Sequence, residues 1–219
     1  MVDLPPLPER VARLPKDERG YPVPWFVQWM KDGEVAAPND PTAKPDFRII
    51  DAAKMQRCFS AARCWVCGDA LGRHRVFVIG PMCVINRVTM EPPSHRDCAE
   101  FAAAACPFLI RPRQKRNMKN MPSHAPMPGM GVERNPGCMC LYETAGYRRF
   151  MTPTGPLVRL DPPSRVDWWA EGRTATRDEI MESIESGYPL LEAVARQEGS
   201  DSIKELVRQR EIAMKLVPA

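Results

Sequence analysis

The chain has 219 residues, with 44% hydrophobic and 26% charged side chains and a formal net charge of +4. Those values fit a globular fold with room for a sizeable core, and so mild a positive balance leaves any nucleic-acid argument to rest on where the charge sits. The longest apolar run, FAAAACPFLI, is about half of what a membrane span requires, so no membrane partner is expected.

The first twenty residues, MVDLPPLPERVARLPKDERG, are proline-rich and charged where a secretory signal would need an apolar segment. The expected compartment is therefore cytoplasmic, where thiols stay reduced and clustered cysteines favour metal binding or catalysis over disulfides. Residues 1–24 read as a loose leader. WFVQW and DFRII, rich in aromatic and β-branched residues, then predict two strands of a wide hairpin around a turn-rich insert. Asp51 is placed to cap a short helix, AAKMQRCFSAA, that delivers the chain to Cys64.

Residues 63–108 hold five of the eight cysteines and two of the three histidines. Cys64 and Cys67 are two residues apart with Gly68 after them, a spacing that lets a tight turn aim both sulfurs at one ion. RVFVIG reads as a strand ending in a Gly80–Pro81 turn. EPPSHRDCAEFAAAAC reads as a helix start with Ser94 as N-cap, which puts His95 and Cys98 at i and i+3 of the first turn. The helix dipole there also favours thiolate. The expected metal ligands are Cys64, Cys67, His95 and Cys98, and three sulfurs with one imidazole are what zinc prefers. Cys83 is a candidate to substitute for one ligand. Cys58, Cys83 and Cys106 otherwise read as small buried hydrophobes, and Cys138 and Cys140 share one face of a strand pattern.

The order of knuckle, hairpin and helix resembles the treble-clef class of zinc fingers, over residues 63–106 and with a longer hairpin than its smallest members. The stretches CWVCG, FVIGPMC, EPPSH, DCAEFA and ACPF also resemble proteins of bacterial and bacteriophage genomes that carry no assigned activity. That resemblance implies a zinc-binding chain and supplies no reaction. Treble-clef scaffolds include nucleases of the His-Asn-His type, for which His74 and Asn86 would have to serve, with His95 then filling two roles. No catalytic residues are assigned: a four-ligand zinc is coordinatively full, whereas catalytic zinc keeps a position for water. No phosphate-cradling loop or nucleophile elbow is present, so no organic cofactor is expected.

After the helix comes LIRPRQKRNMKNMPSHAPMPGMGVERNPG, in which Arg111, Arg113, Lys115, Arg116 and Lys119 stand close together and no acid occurs between Glu100 and Glu133. This stretch reads as a loop able to lie along a phosphate backbone, or as a solvated linker. CMCLYETAGYRRFMTPTGPLVRL predicts two or three short strands around Gly146 and Gly155. Thr176 and Glu179 have capping-box spacing; Gly187 and Pro189 predict a break between two helices, and the last helix carries Ile203, Leu206, Val207, Met214 and Val217 on one face. EAVARQEGSDSIKELVRQR is similar to a helix-turn-helix at Ala195 and Gly199, but Glu205 stands where that family needs an apolar residue. Trp168 and Trp169 are expected to anchor this helical cap to the strands.

The expected fold is α+β in four parts: 1–62, leader, hairpin and helix; 63–110, zinc module; 111–137, basic Pro/Met-rich loop; 138–219, short strands and helices, all sharing one composite core. The expected function is non-enzymatic: a zinc protein that binds nucleic acid through the basic segment. The alternatives are a protein-binding regulator of phage origin and a treble-clef nuclease.

Overall fold

The computed structural model describes residues 4–37, 40–111, 136–153 and 155–219. In chain order its elements are α1 (Glu9–Ala12), β1 (Val27–Lys31), β2 (Glu34–Val35), β3 (Lys44–Ile50), α2 (Ala52–Ser60), β4 (Arg75–Ile79), α3 (Pro81–Asn86), β5 (Val88–Thr89), α4 (Arg96–Ala105) and α5 (Pro107–Ile110). They continue with β6 (Met139–Thr144), β7 (Tyr147–Thr152), β8 (Gly155–Leu160), β9 (Arg165–Ala170), β10 (Arg173–Thr174), α6 (Arg177–Glu198) and α7 (Ser200–Met214). The class is α+β: three antiparallel sheets, ordered β2-β1-β3, β10-β9-β6-β4 and β5-β8-β7, with helices packed on them. No helix among the described residues is long and apolar enough to cross a membrane.

The four-stranded sheet is the centre of the molecule, and strand alternation sorts its side chains into two layers. Phe77, Ile79, Cys140, Tyr142, Trp168 and Ala170 point to one side, where α3, α6 and α7 close the largest core through Ile85, Ile180, Ile184 and Leu206. Val76, Met139 and Leu141 point to the other, against Ala99 and Ala103 of α4. Being covered on both faces explains why MCLY of β6 is a continuous apolar run. β4 comes from residues 63–110 and its partner β6 from 138–219, so the two stretches share this sheet.

Several expected elements are present. β1 and β3 pair antiparallel, with β2 inside the insert. Asp51 caps α2 by accepting from the Lys54 amide at 3.0 Å. Thr176 and Glu179 complete a capping box on α6. The Trp168 indole donates to the Leu216 carbonyl at 2.9 Å, tying the C-terminal helices to the sheet.

Four expectations are corrected. The leader is not loose: Val11 of α1 is buried, and Leu7 and Leu14 on either side of that helix are half-buried, all against the Cys64–Cys98 region. The stretch after β4 is not a hairpin. Gly80 and Pro81 start α3 as N-cap and first residue, since proline at that position gives up no intrahelical bond, and β4 and β5 join different sheets. Gly187 and Pro189 do not divide two helices: α6 runs through both. Gly187 is there for close approach, because a Cβ would stand 3.0 Å from the Met82 sulfur of α3, and the exposed Pro189 costs one hydrogen bond without ending the helix. Finally, Leu206 and Val217 are buried as expected, but Ile203 and Val207 are exposed. They turn away from the α6 contact that buries Leu206.

Candidate metal centre

The chain reaches Cys64 from α2 through Ala62, whose carbonyl accepts from the Leu71 amide at 2.7 Å and closes the loop around the knuckle. Inside that loop the Gly68 amide donates to the Cys64 carbonyl at 2.9 Å and the Cys64 amide to the Asp69 carbonyl at 2.8 Å. The turn forces Gly68 to φ +79°, a conformation that side chains rarely adopt, and the Trp25 indole lies directly against its Cα. Trp25 cannot drift away, since its amide donates to the Val66 carbonyl at 2.7 Å.

The second half of the centre comes from α4. Ser94 is not its cap: both its backbone groups are bonded to Val76, at 2.8 and 3.0 Å, so the chain stays extended one residue longer and His95 is the N-cap. Cys98 therefore sits three residues into the helix, beside His95. The ligand atoms of Cys64, Cys67, His95 and Cys98 all lie within 4.8 Å of one another, a set that can hold a metal ion, and among the described residues it is the one such group. The imidazole Nδ1 is 3.4 Å from the Cys67 sulfur. Its Nε2 is 3.0 Å from the Ala70 carbonyl, which can only accept, so Nε2 carries the proton and Nδ1 is left as the ligand atom.

Sulfurs so close together cannot all ionise unaided. Hydrogen bonds from Cys67 and Cys98 hold the Cys64 thiol far below its usual range, with the Cys67 amide assisting. Cys67, the donor, is pushed up to about 11, and Cys98, hydrogen-bonded to Cys64 and Cys67, is held still higher. The cluster thus stabilises one negative charge on its own; a bound dication would admit the others. The amides of Cys67 and His95 both point at the Cys64 sulfur, at 3.5 and 3.4 Å.

Two further shells hold this arrangement. On the leader side Arg10 of α1 pairs with Asp97 at 3.0 Å and Arg13, its C-cap, with Asp69 at 2.9 Å, placing two cations beside the cysteine cluster. On the sheet side Arg96 bonds Glu143 at 2.6 Å, Asp167 at 2.7 Å and Glu100 at 3.1 Å, which bolts the first turn of α4 to β6 and β9. Sequence reading missed both shells. The Leu7, Val11 and Leu14 spacing was the available sign of the first; nothing local marks the second, whose partners lie 47 and 71 residues away from Arg96.

The other singled-out residues stand apart. Cys83 packs against the largest core, where burial pushes its thiol up to about 12, and takes no ligand position. Cys58 is buried next to the knuckle and is likewise raised to about 12 by burial. Cys138 and Cys140 are fully buried in the central core. His74 is largely exposed and pairs with Glu143 at 3.1 Å, joining the Arg96 network, while Asn86 accepts from the Val88 amide. Of the basic segment, Arg111 caps the end of α5; Arg113, Lys115, Arg116 and Lys119 lie outside the described residues.

No protein-family model, curated protein or solved structure matches this chain. Its chemistry is carried by the geometry of the cluster alone.

Proposed function

We propose that the chain is a zinc-stabilised binding protein, with nucleic acid as its ligand. The observation that carries the metal half is the convergence of three sulfurs and the Nδ1 of His95 within 4.8 Å, which suits tetrahedral zinc and leaves no position for a reacting water. Zinc bound there contributes to folding directly, on the order of 10 kcal/mol by the standard of small structural sites. A knuckle combined with the first turn of a helix supports a treble-clef-type site, in which β4, α3 and β5 replace the usual hairpin. The nucleic-acid half is supported by the acid-free run holding Arg111, Arg113, Lys115, Arg116 and Lys119, which leaves the short helix following α4. Five such cations docked on phosphates give a slope of log K against log salt of roughly −4.

Elemental analysis of the purified protein tests the first half: one zinc per chain is expected, lost together with native structure in Cys67→Ser. A folded, metal-free, chelator-indifferent wild-type protein would overturn it. Gel shift in a salt series tests the second. Reversing the charges across 111–119 should flatten the salt dependence, and unchanged binding would remove the basic segment from the reading.

A protein-binding regulator, phage-derived, is the second reading, and one observation favours it. Leu190 and Val194 of α6 and Ile203 and Val207 of α7 are exposed apolar pairs, each four residues apart on its helix. Co-purification of a stoichiometric protein, lost in Val194→Asp with Val207→Asp, would promote it over nucleic acid.

A further inference from the structure

We propose that the outer face of the β5-β8-β7 sheet, centred on Arg148, Arg159 and Phe150, is a contact surface for single-stranded nucleic acid. This rests on the nucleic-acid reading above but uses none of the residues of the basic segment.

The register defines the surface. Arg148 stands directly opposite Arg159 and Phe150 directly opposite Leu157, so these four side chains share one face of the ladder. Val158 and Leu160, on the other face, are buried in the main core, which makes the arginine face the outward one. Like charges placed directly opposite each other repel, and sheets ordinarily avoid the arrangement. Among the described residues no ion pair relieves it. Neither guanidinium has a carboxylate partner among the described residues, and no acidic residue occurs between Glu143 and Asp161 in the sequence. By contrast Arg10, Arg13, Arg48, Arg96 and Arg173 are each paired. A facing pair of unneutralised guanidinium groups is a fork for an anion supplied from outside.

The aromatic content narrows the class of anion. Arg159 lies over the Phe150 ring, 5.9 Å from its centroid. β7 is an edge strand, and on its opposite face Arg149 lies over Phe59 at 4.9 Å and Arg75 over Tyr147 at 5.3 Å, so the edge carries ring-held cations on both sides. Cations held over rings present aromatic surface and charge together, which is what a single strand with unstacked bases can use and a paired duplex cannot. Arginines on an edge strand also keep it from pairing with another chain. That role needs only charge at the edge, not two arginines facing each other inside the ladder with a phenylalanine beside them.

The test is fluorescence anisotropy with a labelled oligothymidylate of roughly 20 nucleotides and a duplex of the same length, in a salt series. Wild-type protein should bind the single strand more tightly than the duplex. R148A with R159A should reduce the magnitude of the log K against log salt slope by about 1.4, the share of two phosphate contacts on a single strand. Phe150→Ala should weaken binding about tenfold with the slope unchanged, and R148K with R159K should keep the slope. Zinc content and thermal midpoint, measured on every variant, show that the fold is intact. Wild-type binding that the arginine and phenylalanine variants leave unaltered would overturn this surface while sparing the basic segment. Equal or tighter binding of duplex would overturn it as a single-strand surface. Failure of the wild-type chain to bind either probe would overturn this surface and the nucleic-acid reading together.

Discussion

Gly68 is where the knuckle is most exposed to a single added carbon. In Gly68→Ala the new Cβ would stand 2.7 Å from Cγ of Trp25, closer than such atoms ever approach, and at φ +79° the alanine backbone is strained as well. The left-handed conformation costs about 1–2 kcal/mol for a residue with a side chain. Forcing a rigid indole aside in a packed site costs about 1–3 kcal/mol more. Trp25 has no easy retreat, because its own amide is bonded to Val66 within the knuckle. The sum, about 2–5 kcal/mol, is a large part of the total stability of an ordinary domain and corresponds to a fall of roughly 5–15 °C in Tm for a chain of this size. Circular-dichroism melts of the zinc-loaded variant measure it, with tryptophan fluorescence reporting on the indole. Gly72→Ala is the internal control: four residues on, with nothing within 4 Å of an added Cβ and no positive φ, it should leave Tm unchanged or slightly raised. Equal midpoints for the two variants would refute the argument that the turn geometry at Gly68 holds the first two ligands.

Pro189→Ala should stabilise the protein. It restores an amide donor in the interior of α6 at an exposed position, so Tm should rise by an amount equivalent to about 1–3 kcal/mol; a fall would mean that the proline is needed for the path of the helix. Glu179→Ala removes the capping box and the bond to Arg173, costing about 1 kcal/mol at neutral pH. Hydrogen bonding from Arg173 holds the Glu179 carboxyl at about 2, below its value in the unfolded chain. Its contribution is therefore complete above the unfolded pKa and disappears as pH falls through about 2. Melting curves of wild type and variant should converge over that acid range, and a constant gap would exclude the ionised carboxylate as the cause.

What was readable in the sequence was what depends on neighbours along the chain. Cys64, Cys67 and Gly68 state a tight turn, His95 and Cys98 a shared helical turn, and Thr176 with Glu179 a cap; each is fixed within four residues. The errors arose where distant packing decides. Ser94 is an excellent cap by type, yet its backbone is claimed by Val76 from β4. Gly187 and Pro189 are strong stop signals, yet Met82 of α3 occupies the space a side chain at 187 would fill, and packing against α3 and α7 holds both halves of α6 in line. The leader was misread because proline content outweighed a short apolar stripe, Leu7, Val11 and Leu14, whose burial depends on a cysteine knuckle some fifty residues further on. The Arg148–Arg159 pairing was illegible for a different reason: it depends on strand register, which no single strand announces.

At the start of α4 the candidate ligands alternate with the residues that grip the sheet: the N-cap His95 precedes Arg96, and Cys98 precedes Ala99. One rigid turn therefore answers to two masters, and an ion bound between the sulfurs would also set the tilt at which the helix meets β4 and β6. Removing such an ion would then be felt as faster amide exchange in those strands, well beyond the coordination sphere, as for a fastener of the whole architecture rather than a local clasp.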